Sequence, residues 1–229
     1  NSMNYPLDVL LKAKPMLTHV SGLGVVHTDV IQPFFSRLVE IRTSVWTCFK
    51  DFNDACAVLK SLHVLDEIYV PSVALNQRPT FPSTLTELHL LGAYKLRHSE
   101  VIPGNLLENS SICPEWPKNL RILTLGPSVS PFLLLHANAR TTFISTLPST
   151  LREITLSADM NDESISFDLI KGLPRELRRL ALHAAVLDED AFQYLPPQLE
   201  YLNVLTSMSD AGLDLLPPTL LELDCHSLG

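Results

Sequence analysis

Residues 195–204 read LPPQLEYLNV, and residues 216–225 read LPPTLLELDC. Both consist of an apolar residue, a proline, two variable residues and then L-x-x-L-x-[LVC]. The same form recurs further back in the chain. Leu173-Pro174 leads to Leu177, Leu180 and Leu182, and Leu147-Pro148 to Leu151, Ile154 and Leu156. Trp116-Pro117 leads to Leu120, Leu123 and Leu125, and Phe81-Pro82 to Leu85, Leu88 and Leu90. A seventh copy, without the proline, is read at Leu65, Ile68 and Val70, and a faint eighth at Leu38 and Ile41. From Leu65 onward, successive first leucines lie 20, 35, 31, 26, 22 and 21 residues apart. The long intervals place insertions between Leu90 and Leu120 and between Leu125 and Leu151.

Burial explains the pattern. The last three positions of L-x-x-L-x-L alternate, so they make a short strand with apolar side chains on one face and variable residues on the other. One such strand cannot cover its own apolar face. Copies stacked in parallel give a continuous ladder of leucines and pair each strand's backbone with its neighbours. The proline stops any preceding helix and sets the approach to the strand. Between strands, Asp162 to Ile165, Asp188 to Phe192 and Ser209 to Leu213 place acceptor side chains ahead of apolar residues. That is the signature of helix starts, and predicts short helices or 3₁₀ turns on the other side.

Composition excludes the rival sources of a leucine surplus. Leucine makes up about one residue in five of the 229, beside 17 prolines and 8 glycines. No apolar run approaches the roughly 20 residues of a spanning helix. The prolines exclude long coiled coils. A net charge of −8 and a pI of about 5.4 give nucleic acid or an anionic membrane no electrostatic purchase. The N-terminal residues show no basic region followed by an apolar one, so no signal peptide is read there. Cys48, Cys56, Cys113 and Cys225 form no C-x-x-C pair. They are expected to be free thiols in an intracellular, cytoplasmic protein.

The repeat resembles the leucine-rich-repeat superfamily, well over about residues 62–229 and faintly over 15–61. The LP-x-x-L entry is similar to repeats of secreted bacterial ubiquitin ligases and to proline-containing repeats of amoebae. The asparagine usual at the ninth repeat position is replaced by Ala93, Ser128, Asp159, Ala185 and Ser207. The resemblance implies an α/β solenoid, a horseshoe with a parallel concave β-sheet and short helices, 3₁₀ turns and loops on its convex side. Residues 1–61, with helical patterning at Leu7 to Leu11 and Phe49 to Leu62, are expected to be an N-terminal cap or degenerate repeats. Residues 62–229 are expected to be the repeats proper, in one continuous solenoid that runs on past Gly229.

The aligned repeats expose candidate contacts at fixed positions. The second holds Asp66, Thr86, Arg121, Arg152, Arg178, Glu200 and Leu221, the third Glu67, Glu87, Ile122, Glu153, Arg179, Tyr201 and Glu222, and the fifth begins with Tyr69 and His89. Strands about 4.8 Å apart would align Arg121, Arg152 and Arg178 as a basic row. Arginine forks onto carboxylates, so the row suits an acidic segment of a partner protein. Paired with Glu153 and Glu200, it is instead ordinary solvated surface. Arg179, Tyr69, Tyr201 and His89 complete the expected partner-binding set. Phe132 to Leu135 reads as a buried convex turn or an exposed anchor.

No catalytic motif emerges. Asp224-Cys225-His226 cannot form a nucleophile–base pair, because strand alternation turns Cys225 away from its neighbours. His183 and His226, two strands apart, are too distant to share a metal. The expectation is a non-catalytic protein–protein interaction scaffold with no cofactor and no metal. The alternatives are the substrate-recognition part of a larger ubiquitin ligase or kinase, and an extracellular receptor or adhesion ectodomain. A full-length open reading frame separates the first alternative from the scaffold, and thiol titration under denaturing conditions tests the second. Four free thiols are expected, whereas two disulfides would favour the extracellular reading.

Overall fold

The computed structural model describes residues 16–25, 36–47, 58–70, 81–96, 114–127, 143–157, 167–183 and 187–228. Leu7 to Leu11, Phe132 to Leu135, Asp162 to Ile165 and most of the stretch after Phe49 lie outside them.

Among the described residues, ten strands form one sheet, and every pairing is parallel. They are β1 (His19–Val25), β2 (Glu40–Thr47), β3 (Ser61–Val70), β4 (Glu87–Leu90), β5 (Ala93–Leu96), β6 (Ile122–Leu125), β7 (Glu153–Ser157), β8 (Arg179–His183), β9 (Tyr201–Met208) and β10 (Glu222–Leu228). Nine follow one another across the sheet in chain order, and β5 lies beside the far half of β3. β1 and β2, from the irregular N-terminal sequence, extend the same sheet. The result is an α/β, solenoid-like arrangement in which each segment adds one strand to the last.

The leucine ladder drives it. Val20, Ile41, Leu62, Leu88, Leu123, Ile154, Leu180 and Leu202 stand in register on successive strands, each no more than 6% exposed. First-position residues, from Leu38 and Leu59 to Leu199, lie in the same buried cluster. Burying one such side chain contributes about 1.5–3 kcal/mol. That exceeds the roughly 0–1 kcal/mol of a surface ion pair, so the ladder sets the fold and the surface charges do not.

The proline entry acts through two hydrogen bonds. The amide of each first leucine donates to the carbonyl of the proline three residues earlier, as in Leu177 to Pro174 (3.1 Å) and Leu199 to Pro196 (3.1 Å). The residue before the proline closes the preceding helical turn, as in Leu173 to Ile170 and Leu195 to Phe192. Proline has no amide hydrogen with which to continue that turn. The chain therefore leaves the helix and turns into the strand within four residues. Threonine hydroxyls tie these turns to the repeat before: Thr84 donates to Leu59 O (2.7 Å), Thr150 to Leu120 O (2.8 Å) and Thr219 to Leu199 O (2.7 Å).

Short helices lie over the buried face: α1 (Phe167–Gly172), a 3₁₀ helix (Glu189–Tyr194) and α2 (Asp210–Asp214). The predicted start at Ser209 is a true cap, its Oγ accepting from the Gly212 amide at 3.2 Å. At Asp188 the side chain makes no capping bond. Glu189 links the two later elements, accepting from the Ser209 amide (2.6 Å) and hydroxyl (2.7 Å). These two bonds hold its carboxyl below the usual carboxylate range. Where the repeats are long, Phe81 and Trp116 replace leucine before the proline. They stack at 6.2 Å, and Phe143 meets Trp116 edge-on at 6.0 Å.

Two sequence expectations are corrected. Leu62 and Val64, rather than Ile68 and Val70, pair with Leu88 and Leu90, so the seventh copy begins at Leu59. β3 is long enough to carry both frames, and its second half pairs with β5 instead. Where a helix was expected to reach Leu62, the chain is strand from Ser61, because Leu62 and Val64 belong to the ladder.

Thr206, on β9, ties the sheet to the segment that precedes the 3₁₀ helix. Its buried hydroxyl accepts from the Leu187 amide (2.9 Å) and donates to the Leu187 carbonyl (3.1 Å). Thr206→Val would strand both groups without solvent. It is expected to lower unfolding stability by about 1–3 kcal/mol in urea titration, while Thr206→Ser retains most of it.

Candidate functional site

Parallel sheets are normally buried on both faces. Here the strands alternate between buried and partly exposed positions, as in β4, β6 and β7, so one face stays open among the described residues. Its side chains form rows that the backbone register fixes. One row runs Glu87, Ile122, Glu153, Arg179, Tyr201 and Glu222, and another His63, His89, Thr124, Thr155, Ala181 and Asn203. The rim ahead of the strands continues the ladder. The Arg121 amide bonds to Thr86 O, Arg152 to Arg121 O, Arg178 to Arg152 O and Glu200 to Arg178 O, all at 2.8 Å.

The expected arginine row is therefore present as a row, and its members differ in their partners. Arg178 pairs with Glu200 at 2.7 Å, and Arg152 lies 3.9 Å from Glu176 while donating to the Ser149 and Leu151 carbonyls. Arg179 lies 3.8 Å from Glu153 and stacks over the Tyr201 ring at 4.2 Å. Arg121 is exposed and has no carboxylate partner among the described residues. The long, half-exposed pairs contribute little to stability and leave the guanidinium groups open to exchange partners. Arg179 on Tyr201 is the best-organised contact of the set, a planar cation held on an aromatic face.

His89 has a neighbour that the sequence reading missed. His63 stacks on it with ring centroids 4.2 Å apart and planes within 6°. Each ring makes one bond to a hydroxyl, His89 Nδ1 with Thr124 Oγ1 at 2.9 Å and His63 Nε2 with Ser61 Oγ at 3.1 Å. Beyond them on β2, Arg42 donates to Glu40 at 2.7 Å, and this holds the Glu40 carboxyl below its usual range. Burial lowers the His89 pKa to about 4, reinforced by His63 and Arg42. Burial and then Arg42 lower that of His63. Both rings are neutral at neutral pH.

The pair was missed because placing the copy at Leu65 put Asp66, Glu67 and Tyr69 where Lys60, Ser61 and His63 belong. Tyr69 lies opposite Lys95, beyond the row that holds His89. The spacing from Leu38 was ambiguous, since Leu59 and Leu65 both fall within the repeat period. As expected of the alternation, Asp224 is exposed while Cys225 packs against the core. Asn203 donates to Asp224 at 2.6 Å. β9 separates His183 on β8 from β10. Among the described residues, no three His, Cys, Asp or Glu side chains are grouped as metal ligands, and no helix is long and apolar enough to cross a membrane. No protein-family model matches the chain, and no curated protein matches it in sequence.

The histidine pair makes stability depend on pH. Unfolded, His89 takes up a proton near pH 6.5; folded, only near 4. Between these values the unfolded state binds more protons, so stability falls as the pH drops. The loss from pH 7 to 5 is expected to be about 1 kcal/mol larger in the wild type than in His89→Gln, allowing for the solvent that reaches a half-buried ring. Urea titrations at the two pH values measure it, and equal losses would show that His89 is not held neutral.

Proposed function

We propose that the chain is a leucine-rich-repeat horseshoe that acts as a non-catalytic scaffold, binding a partner protein on the open, concave face of its sheet. One observation carries this reading. Among the described residues, a ten-stranded parallel sheet leaves one face open, and that face presents arginine, tyrosine and histidine in fixed rows. Arg and Tyr are the residues that most often dominate binding energy at interfaces, since each combines a large contact area with a polar end. The sheet backbone is rigid, so a partner meets side chains already positioned and little further ordering is needed. Arg121, Arg152, Arg178, Arg179, Tyr201 and His89 form the proposed contact set; Tyr69 lies on the same sheet outside these rows. Carboxylates of an acidic partner segment would displace the weak intramolecular partners of the arginines. No cofactor or metal enters this reading, and an intracellular location accords with it.

Affinity capture tests it, using wild type beside Arg121→Glu/Arg152→Glu/Arg178→Glu and a control, Lys171→Glu/Asp190→Lys, altered on the helical side. Circular dichroism first confirms that all three fold. A partner held by wild type and control and lost by the arginine variant is the expected outcome. Identical capture by all three would show that the arginine row is ordinary solvated surface.

A further inference from the structure

Charge is sorted along the chain. All 17 lysines and arginines precede residue 180, whereas eight of the 25 carboxylates follow it, a number equal to the entire net charge of −8. On the open face the boundary falls between β8 and β9. β6, β7 and β8, with the rim residue ahead of each, carry Arg121, Arg152, Arg178 and Arg179 against Glu153 alone. β9 and β10 with their rim residues carry Glu200, Glu222 and Asp224 and no Lys or Arg. The Arg178–Glu200 pair at 2.7 Å spans the boundary.

We infer that the partner segment is itself bipolar, an extended peptide crossing the strands with an acidic block over β6–β8 and a basic block over β9–β10. This deepens the scaffold reading and rests on it. A purely acidic segment would satisfy the arginines but run onto Glu200, Glu222 and Asp224 one or two strands further, where like charges repel. A purely basic one meets the reverse problem. The span from β6 to β10 is four strand spacings, about 19 Å, which an extended peptide covers in about six residues. Both halves therefore fit one short motif. Exposure supports the geometry: Glu222, Asp224 and Arg121 are exposed, and the Arg178 and Arg179 side chains are 55% and 49% exposed. Asp224 already accepts one bond, from Asn203, which orients its carboxylate without neutralising it. Tyr201 lies at the junction under Arg179, an apolar surface between the two charged halves.

The test is fluorescence anisotropy at low salt with labelled peptides. One carries a block of glutamates joined through a glycine–serine spacer to a block of lysines, and a second has the blocks reversed. Further peptides carry the same residues alternating, the acidic block alone and the basic block alone. One block order is expected to bind about tenfold more tightly than the alternating peptide, as a few exposed ion pairs would provide. Both Arg121→Glu/Arg178→Glu and Glu222→Lys/Asp224→Lys should abolish that advantage. Equal binding of the alternating peptide, or of the acidic block alone, overturns the bipolar partner. So does self-association of the wild type at low salt that either variant abolishes, because the occupant is then a second copy. Captured partners separate the two levels of the argument. A partner lost by the arginine variant but kept by Glu222→Lys/Asp224→Lys leaves the scaffold reading standing and overturns the bipolar one, whereas a partner kept by both counts against the scaffold reading itself.

Discussion

Each strand of four or five residues in the middle of this sheet carries its leucines on one side and has too little area to shield them alone. Lateral stacking removes the difficulty, because the fourth-position side chain of one strand is covered by those of its two neighbours. Leu88, Leu123, Ile154, Leu180 and Leu202 are each almost fully buried on this basis. In β10, with a neighbour on only one side among the described strands, Leu223 and Cys225 are only partly covered. Removing one leucine from the middle would leave a cavity shared by three repeats, at a cost of about 2–5 kcal/mol. Stability here is a nearest-neighbour property, and the remaining features act mainly to keep neighbours in register.

Register is held at the entry to those strands that a proline precedes. A Leu–Pro pair ends the helical turn with one hydrogen bond and begins the strand with another, so the chain has little freedom in the intervening four residues. The threonine hydroxyls that reach back to the previous repeat join these turns from one segment to the next. Gly126, just after β6, marks another tight passage. A Cβ there would lie 2.7 Å from the Leu91 carbonyl oxygen, closer than real side chains approach. Insertions are accommodated between the entry points, where spacing is free to vary because the strands' own register does not depend on it.

The parallel sheet was legible in the sequence because burial writes a strict pattern. A position facing the ladder tolerates little besides Leu, Ile or Val, and six copies preceded by proline leave few alternatives. Legibility failed at β3, where no proline marks the entry. Leu59, Leu62 and Val64 compete there with Leu65, Ile68 and Val70, and both sets are apolar because the strand is long enough to pair with β4 and β5 in turn. The exposed face was legible only as far as the frame was right. Arg121, Arg152, Arg178, Arg179 and Tyr201 stand where the alignment put them, whereas His63 was hidden by the error at β3. Side-chain pairing was not legible, because nothing buried constrains which carboxylate an exposed arginine selects.

The open face follows from the same geometry that makes the core. A conventional parallel sheet hides both sides beneath crossover helices. Here the described helices are short and lie over the leucine side, so the other side is left to side chains that the ladder positions but does not use. Substitution on that face costs the fold little, since surface pairs contribute a small fraction of what one buried leucine does. Its composition is therefore free to vary without threatening the structure. Folding does not require four arginines to gather over three adjacent strands with acidic residues over the next two, and the arrangement adds little to stability. In the proposed reading, recognition of a partner supplies the constraint that folding does not.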